Sequence, residues 1–487
     1  MPLILYSFVA CGGALIIVAV LQRRRRAANL PPGPPGDPFI GHLLRMPSTD
    51  SALVFHQWAK TYGPVMHLKI LGQSMIILDS YQAALDLLDK KGLIYSDRPK
   101  FTLYKLLGWD PSLTLVSYGS KSQSIQRQMH QSYLSRHKVG DFKLMQTEEA
   151  RRLVQKLMES PPKQYAKLMS RFIIGMISQI VAGHRITSDD DPYIRISQMI
   201  NESVSKLGPP GSSPLDLFPF PNSGEAMPSF IREQLEQMDE REDEEELKGA
   251  AVTMFSAGDS TTWTTLTIFV LAMTLHPEAQ AKAQKEIDSV VGHMRLPEFR
   301  DREDLPFVEG ILQETLRWIP AVPLGQLRRY NRITQLMLWK GCLIAQGRMT
   351  CTVVCSFQRG LSYLQTYGKA IGLDESVYSD PTSFRPERFL PRPAGAGEPH
   401  FSNVAFGFGR RICTGQYVAD QILWIAITSI LATCTITKAV DENGNIIVPD
   451  ITMSDGLVSH PNVNDFRCVI SPRSPEAKAL IQIFNSS

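Results

Sequence analysis

Ten consecutive residues constrain this chain more than any others: Phe406-Gly407-Phe408-Gly409-Arg410-Arg411-Ile412-Cys413-Thr414-Gly415. Three glycines surround one cysteine, and a helix-like apolar pattern follows. Glycine lets a backbone turn tightly and approach a flat ligand closely. Backbone N–H groups at the start of a helix can point at the sulfur and favour its thiolate. Arg411 adds positive charge and a donor fork suited to a carboxylate, and Phe406 offers an apolar shield. A lone cysteine in such a loop reads as structural. The whole run instead suits a thiolate ligand to haem iron.

The amino terminus sets the second constraint. Leu3 to Leu21 carries no charge and nearly matches the length needed to cross a bilayer as a helix. Arg23 to Arg26 follow at once. A cleaved signal peptide has its charges before the apolar run, so the order here favours an uncleaved anchor. Positive charge stays cytosolic, which places the body on that side of a single-pass protein. The expected division is an anchor over 1–22, a basic stop and proline-rich hinge over 23–36, and a body over 37–487. Within the hinge, Pro31-Pro32-Gly33-Pro34-Pro35-Gly36 should be a stiff, extended spacer.

Setting aside those four arginines, the 51 basic residues nearly balance the 48 acidic ones. A body this neutral disfavours a nucleic-acid binder, which needs a basic face. Seven cysteines without paired spacing do not describe a disulfide scaffold. Cys342, Cys351 and Cys355 lack the histidine or fourth cysteine of a standard zinc site.

Along the body, Val65 to Leu78 reads as a hairpin turning at Gly72-Gln73. Residues 118–207 are mostly helical, interrupted at Pro161-Pro162 and at Asp189 to Pro192. The segment 209–228 holds six prolines and no helix is expected there. Asp239 to Glu246 is almost wholly acidic and precedes a proline-free stretch, Leu247 to Leu275, that reads as one long helix. It should stop at His276-Pro277. Helices follow over 278–291, 305–318 and after Gly415, with strands near the carboxyl end. The fold class is mainly α with small β-sheets, in one large unit.

Two further motifs give the cysteine run its context. Glu314 and Arg317 lie three apart on one helix, so they can pair; Phe384-Arg385-Pro386-Glu387-Arg388-Phe389 supplies a third partner, Arg388. Together with Phe406, Gly409, Arg411, Cys413 and Gly415 they resemble the motifs of a membrane-anchored cytochrome P-450. The style is that of fungal, microsomal-type haem-thiolate monooxygenases, and the likeness runs from the proline hinge to the cysteine loop.

The resemblance implies the cytochrome P-450 fold and haem, with Cys413 as axial ligand to its iron. It places Phe406, Gly407, Gly409, Arg411 and Gly415 about that group, with Arg329 on the propionate side. Glu314, Arg317 and Arg388 become a structural network. In Ala257-Gly258-Asp259-Ser260-Thr261-Thr262, Thr261 matches the oxygen-side threonine and Ser260 occupies the family's acidic position. Asp259 falls one place early and should point elsewhere, since one residue turns a helix by about 100°. The partners implied are an NADPH-cytochrome P-450 reductase, O2, a small lipophilic substrate and the endoplasmic reticulum membrane. The substrate would be of terpenoid or polyketide type, in fungal secondary metabolism. Departures from the pattern motivate an alternative, a haem-binding relative with little or no turnover. Ser122 and Gln123 stand where the family presents Trp-Arg, with Arg127 a helical turn further on. The lid region 209–228 is short, and 351–369 fits poorly.

Overall fold

The computed structural model describes residues 30–483, apart from 48–49, 107, 110, 162–163, 208–241, 326–327, 330–337, 340–341, 344–361, 367, 450–451, 455–457, 460 and 462–465. In chain order its principal elements are α1 (Ser51–Tyr62), β1 (Val65–Ile70), β2 (Gln73–Leu78), α2 (Lys121–Tyr133), α3 (Lys143–Glu159), α4 (Tyr165–Ala182), α5 (Pro192–Leu207) and α6 (Glu242–Leu275). There follow α7 (Pro277–Val290), α8 (Pro306–Trp318), β3 (Arg328–Arg329), β4 (Leu338–Trp339), β5 (Cys342–Leu343), β6 (Ser362–Thr366), α9 (Gln416–Thr433), β7 (Cys434–Lys438), β8 (Cys468–Pro472) and α10 (Pro475–Ile483). The mainly helical expectation holds, and the breaks fall where proline dictates. Pro192, Pro277 and Pro306 each stand first in a helix, where a missing N–H costs nothing and the fixed φ is already helical.

The proline-free stretch becomes the axis of the molecule. α6 is 34 residues long, and α2, α4, α5, α8 and α9 all pack against it. From Leu266 to Met273 every residue is fully buried, as a helix apolar on all sides requires. α9 is buried on most of its surface, with Trp424 at its centre. The acidic start of α6 complements the helix dipole. Glu286 of α7 accepts hydrogen bonds from the N–H groups of Phe307 (2.9 Å) and Val308 (3.0 Å), capping the start of α8.

One mixed sheet holds the strands in the order β1-β2-β6-β3. The β1–β2 turn is Leu71-Gly72, both at positive φ, one residue earlier than the sequence suggests. β6 runs parallel to β2, pairing Ser74 with Ser362, and antiparallel to β3, pairing Arg328 with Leu364. A strand therefore does arise within 351–369, while Cys351 and Cys355 lie outside the described residues. β7 and β8 form a separate antiparallel pair.

The proline spacer is extended and docked. His67 N–H donates to the Pro32 carbonyl (3.0 Å), and His42 Nε2 lies 2.7 Å from the Pro34 carbonyl. A Cβ on Gly33 would stand 2.2 Å from the His67 carbonyl oxygen, so only glycine permits that approach. The expected anchor, Leu3 to Leu21 with Arg23 to Arg26, and the segment 209–228 lie outside the described residues. Among the described residues, no helix is long and apolar enough to cross a membrane.

Candidate active site

The cysteine loop is closed by its own backbone. Cys413 N–H donates to the Phe406 carbonyl at 2.9 Å. Gly407 and Gly409 sit at φ 81° and 59°. A Cβ on Gly409 would lie 2.1 Å from the Leu88 carbonyl oxygen, so the loop rests directly on the π-helical turn Leu85–Lys90. Gly415 is the cap residue from which α9 starts. Cys413 itself is exposed, although protein atoms crowd its sulfur. Burial pushes its pKa up, while the N–H groups of Gly415 and Gln416 and the charge of Arg127 work against that rise. Such a sulfur would give up its proton on binding a metal ion. Phe406 is half-buried beside it.

Four guanidinium groups cluster around this loop. Arg411 donates to the carbonyls of Ser96 (2.9 Å), Leu113 (3.1 Å) and Val116 (2.7 Å). Arg328 donates through Nη2 to the Phe408 carbonyl at 2.7 Å. Its Nη1 is buried with no hydrogen-bond partner. Arg127 makes a long 3.4 Å contact with the Ile412 carbonyl. Burial lowers the pKa of Arg328 and of Arg411 to about 10 each. The charges of Arg411 and Arg127 add to the effect at Arg328. Burial also holds Arg98 well below its ordinary value, as do the charges of Arg411 and Arg328. Arg328 and Arg411 therefore remain charged at neutral pH. Asp97 and Asp89 are the carboxylates that pull the other way.

An orphaned buried donor within a group of repelling cations is costly by itself. A bound group bearing carboxylates would offset that cost. A haem, flat, anionic at one edge and needing a thiolate, fits these residues. The sequence reading singled out Arg329, whose side chain lies outside the described residues. It missed Arg328 and Arg98. The signal was present in Ser96-Asp97-Arg98-Pro99 and in the first arginine of the pair, but nothing local separates such arginines from surface ones.

The face of α2 presents no cationic clamp at the expected positions. Gln123 turns back on its own helix, its N–H bonded to Ser120 Oγ (3.1 Å) and its Oε1 accepting from the Gly119 N–H (3.3 Å). Ser122 Oγ donates to Glu246 Oε2 at 2.7 Å. Gln126 Nε2 donates to the same carboxylate oxygen and to the Pro111 carbonyl, both at 2.7 Å. A carboxylate and two neutral groups thus occupy this junction of α2 and α6.

On α6, the expected motif lies in unbroken α-helix, without local widening. Asp259 is buried and accepts a hydrogen bond from Ser197 Oγ of α5. It points toward α5, as its one-residue offset implies. Ser260 Oγ donates to the Ser256 carbonyl (3.3 Å), and Thr261 Oγ1 to the Ala257 carbonyl (2.7 Å). Ala257 is exposed and Thr261 half-buried, so this stripe of α6 faces open space rather than the core.

The remaining motif is a buried ion cluster. Arg317 grips Glu314 with two parallel bonds, Nε to Oε2 at 2.7 Å and Nη2 to Oε1 at 2.8 Å. Its Nη1 donates to the carbonyls of Gly372 and Pro381, both at 2.7 Å. Arg388 Nη1 donates to Glu398 Oε2 at 2.8 Å, a partner that the sequence reading missed. Burial alone would raise the pKa of Glu398, but hydrogen bonds from Ser379 and Arg388 hold it below its ordinary value.

A cysteine at a helix start, with Arg127 acting on its sulfur and Arg328 and Arg411 bonded to the surrounding backbone, in a helical body with a minor sheet, suits a haem-thiolate protein. The chain belongs to the cytochrome P-450 family, whose model matches residues 31–228 and 221–463. It is 33% identical to a cytochrome P-450 monooxygenase of Armillaria gallica, over 96% of this chain and 97% of the relative. It is 32% identical to cytochrome P-450 monooxygenase 208 of Postia placenta, over 98% of each. It is 31% identical to cytochrome P-450 monooxygenase claR of Ampulloclitocybe clavipes, over 94% of this chain and 89% of the relative. The protein is accordingly an oxidoreductase that incorporates molecular oxygen and carries haem through a cysteine thiolate.

Proposed function

We propose that Cys413 is the axial thiolate and that the enzyme oxygenates a small lipophilic substrate in fungal secondary metabolism, of terpenoid or polyketide type. The observation that carries this reading is that one loop holds Cys413 and, at its Phe408 carbonyl, Arg328, whose buried Nη1 has no hydrogen-bond partner. Bound there, haem supplies the redox centre at which O2 is activated and one oxygen atom is inserted into a C–H or double bond. Arg328, Arg411, Arg98 and Arg127 hold its carboxylates, and Arg329 extends the same strand. Gly407, Gly409 and Gly415 let the loop backbone come close, and Phe406 excludes water from the sulfur side.

Thr261 and Ser260 are the proton-handling pair on α6. Thr261 Oγ1 directs its proton at the Ala257 carbonyl, so its lone pairs face the open side and can accept from water. Ser260 supplies a hydroxyl where the family pattern has an acid. Electrons come from an NADPH-cytochrome P-450 reductase, since the sequence carries no flavin- or nicotinamide-binding motif of its own. Leu3 to Leu21 with Arg23 to Arg26 anchors the chain in the endoplasmic reticulum membrane, body cytosolic, as their order along the chain favours.

One observation favours a second reading, weak turnover. The carboxylate of the α6 motif is occupied by Ser197, which leaves hydroxyls alone to deliver protons. A carbon monoxide difference spectrum of the reduced membrane protein tests the first step. The thiolate-type band should appear in the wild type and vanish in Cys413→Ala; its survival in that variant would refute the ligand assignment. NADPH consumption with added reductase then divides product formation from peroxide release, the latter supporting weak turnover.

A further inference from the structure

The junction of α2 and α6 continues down to the thiolate loop. Ser122, Gln126 and His130 are spaced by four and share one face of α2. Ser122 and Gln126 meet Glu246 of α6. One turn along, His130 reaches two elements at once. Its Nε2 lies 3.0 Å from the Ala250 carbonyl oxygen of α6, and its Nδ1 lies 2.8 Å from Thr414 Oγ1. The ring is 1% exposed.

The chemistry of the partners fixes the tautomer. A backbone carbonyl only accepts, so Nε2 carries the proton. A neutral imidazole then offers a lone pair at Nδ1, and the Thr414 hydroxyl donates into it. The ring is kept neutral mainly by burial, helped by the charge of Arg127, while the Ala250 carbonyl works against that lowering. Thr414 follows Cys413 directly in sequence. We propose that His130 is a positioning residue for the thiolate: it ties the Thr414 side chain to the backbone of α6 and thereby fixes where the Cys413 sulfur stands relative to the haem. The proposal rests on the reading of Cys413 as the ligand.

A buried hydrogen bond between neutral groups, broken so that one partner stays unsatisfied, corresponds to about a tenfold change in an equilibrium or rate. The test uses the full-length haem protein with carbon monoxide on the reduced form, in mild urea. The rate at which the thiolate-type band gives way to the thiol type is recorded. Thr414→Val should lose it about tenfold faster than wild type, and Thr414→Ser, which keeps the hydroxyl, at nearly the wild-type rate. His130→Phe should match Thr414→Val, and the double variant should be no faster than either alone. In the haem-free full chain, alkylation of Cys413 by iodoacetamide, mapped by mass spectrometry, should speed up in Thr414→Val.

A Thr414→Val rate equal to wild type, unchanged alkylation, or a double variant whose effect is the product of the singles overturns the proposal. If His130→Phe does not fold, the valine–serine contrast at 414 decides alone. Cys413→Ala separates the two claims. Retention of the band there refutes the ligand reading, whereas loss there with a silent Thr414→Val refutes only the positioning role.

Discussion

Arg388 Nε stands 3.1 Å from Glu314 Oε1, the same oxygen that accepts Arg317 Nη2 at 2.8 Å and the backbone N–H of Arg385 at 2.7 Å. Glu314, Arg317 and Arg388 are each at most 1% exposed. One carboxylate thus joins α8 to the 379–388 segment, and Glu398 balances the second arginine. Removing one member leaves an uncompensated buried charge. Glu314→Gln or Arg388→Leu should destabilise the protein by about 3–5 kcal/mol, read as a lower urea midpoint. Glu398→Gln, at the rim of the cluster, should cost less.

Arg328 should behave oppositely. In the haem-free chain its Nη1 has no hydrogen-bond partner and Arg411 and Arg127 repel it. Arg328→Met loses the bond to the Phe408 carbonyl and the attraction of Asp89 but relieves that repulsion, so haem-free stability should change by less than about 1 kcal/mol. In the loaded protein the lost charge-assisted bond should cost about 1.5–3 kcal/mol of haem affinity. Transfer of haem to an excess of apomyoglobin measures it. Equal effects on both forms would show that Arg328 serves the fold alone.

His67 should give the protein an acid-sensitive edge. Burial, with the charges of His42 and Lys69, lowers its pKa from 6.5 to about 4. The folded state favours the neutral ring, while the unfolded chain takes up the proton first. Stability is therefore complete above about pH 6.5 and is lost as the pH falls from there toward 4, by about 3 kcal/mol in all. In His67→Gln this slope should flatten, as followed by urea midpoints across that range. An unchanged slope would assign the acid response to other groups.

Ser260→Asp restores an acid where hydroxyls now stand alone. If proton delivery limits turnover, peroxide released per NADPH consumed should fall several-fold, in line with the contribution of a positioned general acid. Unchanged leakage would place the limit elsewhere. Asp259→Asn is the control, because its carboxylate faces Ser197 of α5.

Much of this was legible because local chemistry dictated it. Proline at 192, 277 and 306 fixed helix starts, and the glycine spacing of the cysteine loop required its turn. Gly72 marked the hairpin to within one residue. What stayed hidden depends on partners far apart in sequence. Ser122 and Glu246 are separated by 124 positions, and His130 and Thr414 by 284. No periodicity carries such pairings. Arg328 escaped for another reason: its meaning lies in an empty hydrogen-bonding direction, which only a folded environment defines. The serine at 122 was visible as a departure from the family, but its role needed the carboxylate opposite.

The docked proline segment alters how this body can be carried. With Gly33 pressed onto the edge strand and His42 pinning Pro34, Pro32 to Pro34 behaves as a bracket and not as a leash. The catalytic body therefore keeps a fixed attitude relative to Pro32. Any swivel must lie upstream of Pro32. Lengthening the chain after Gly36 would therefore not add reach; it would insert slack into a clamped joint.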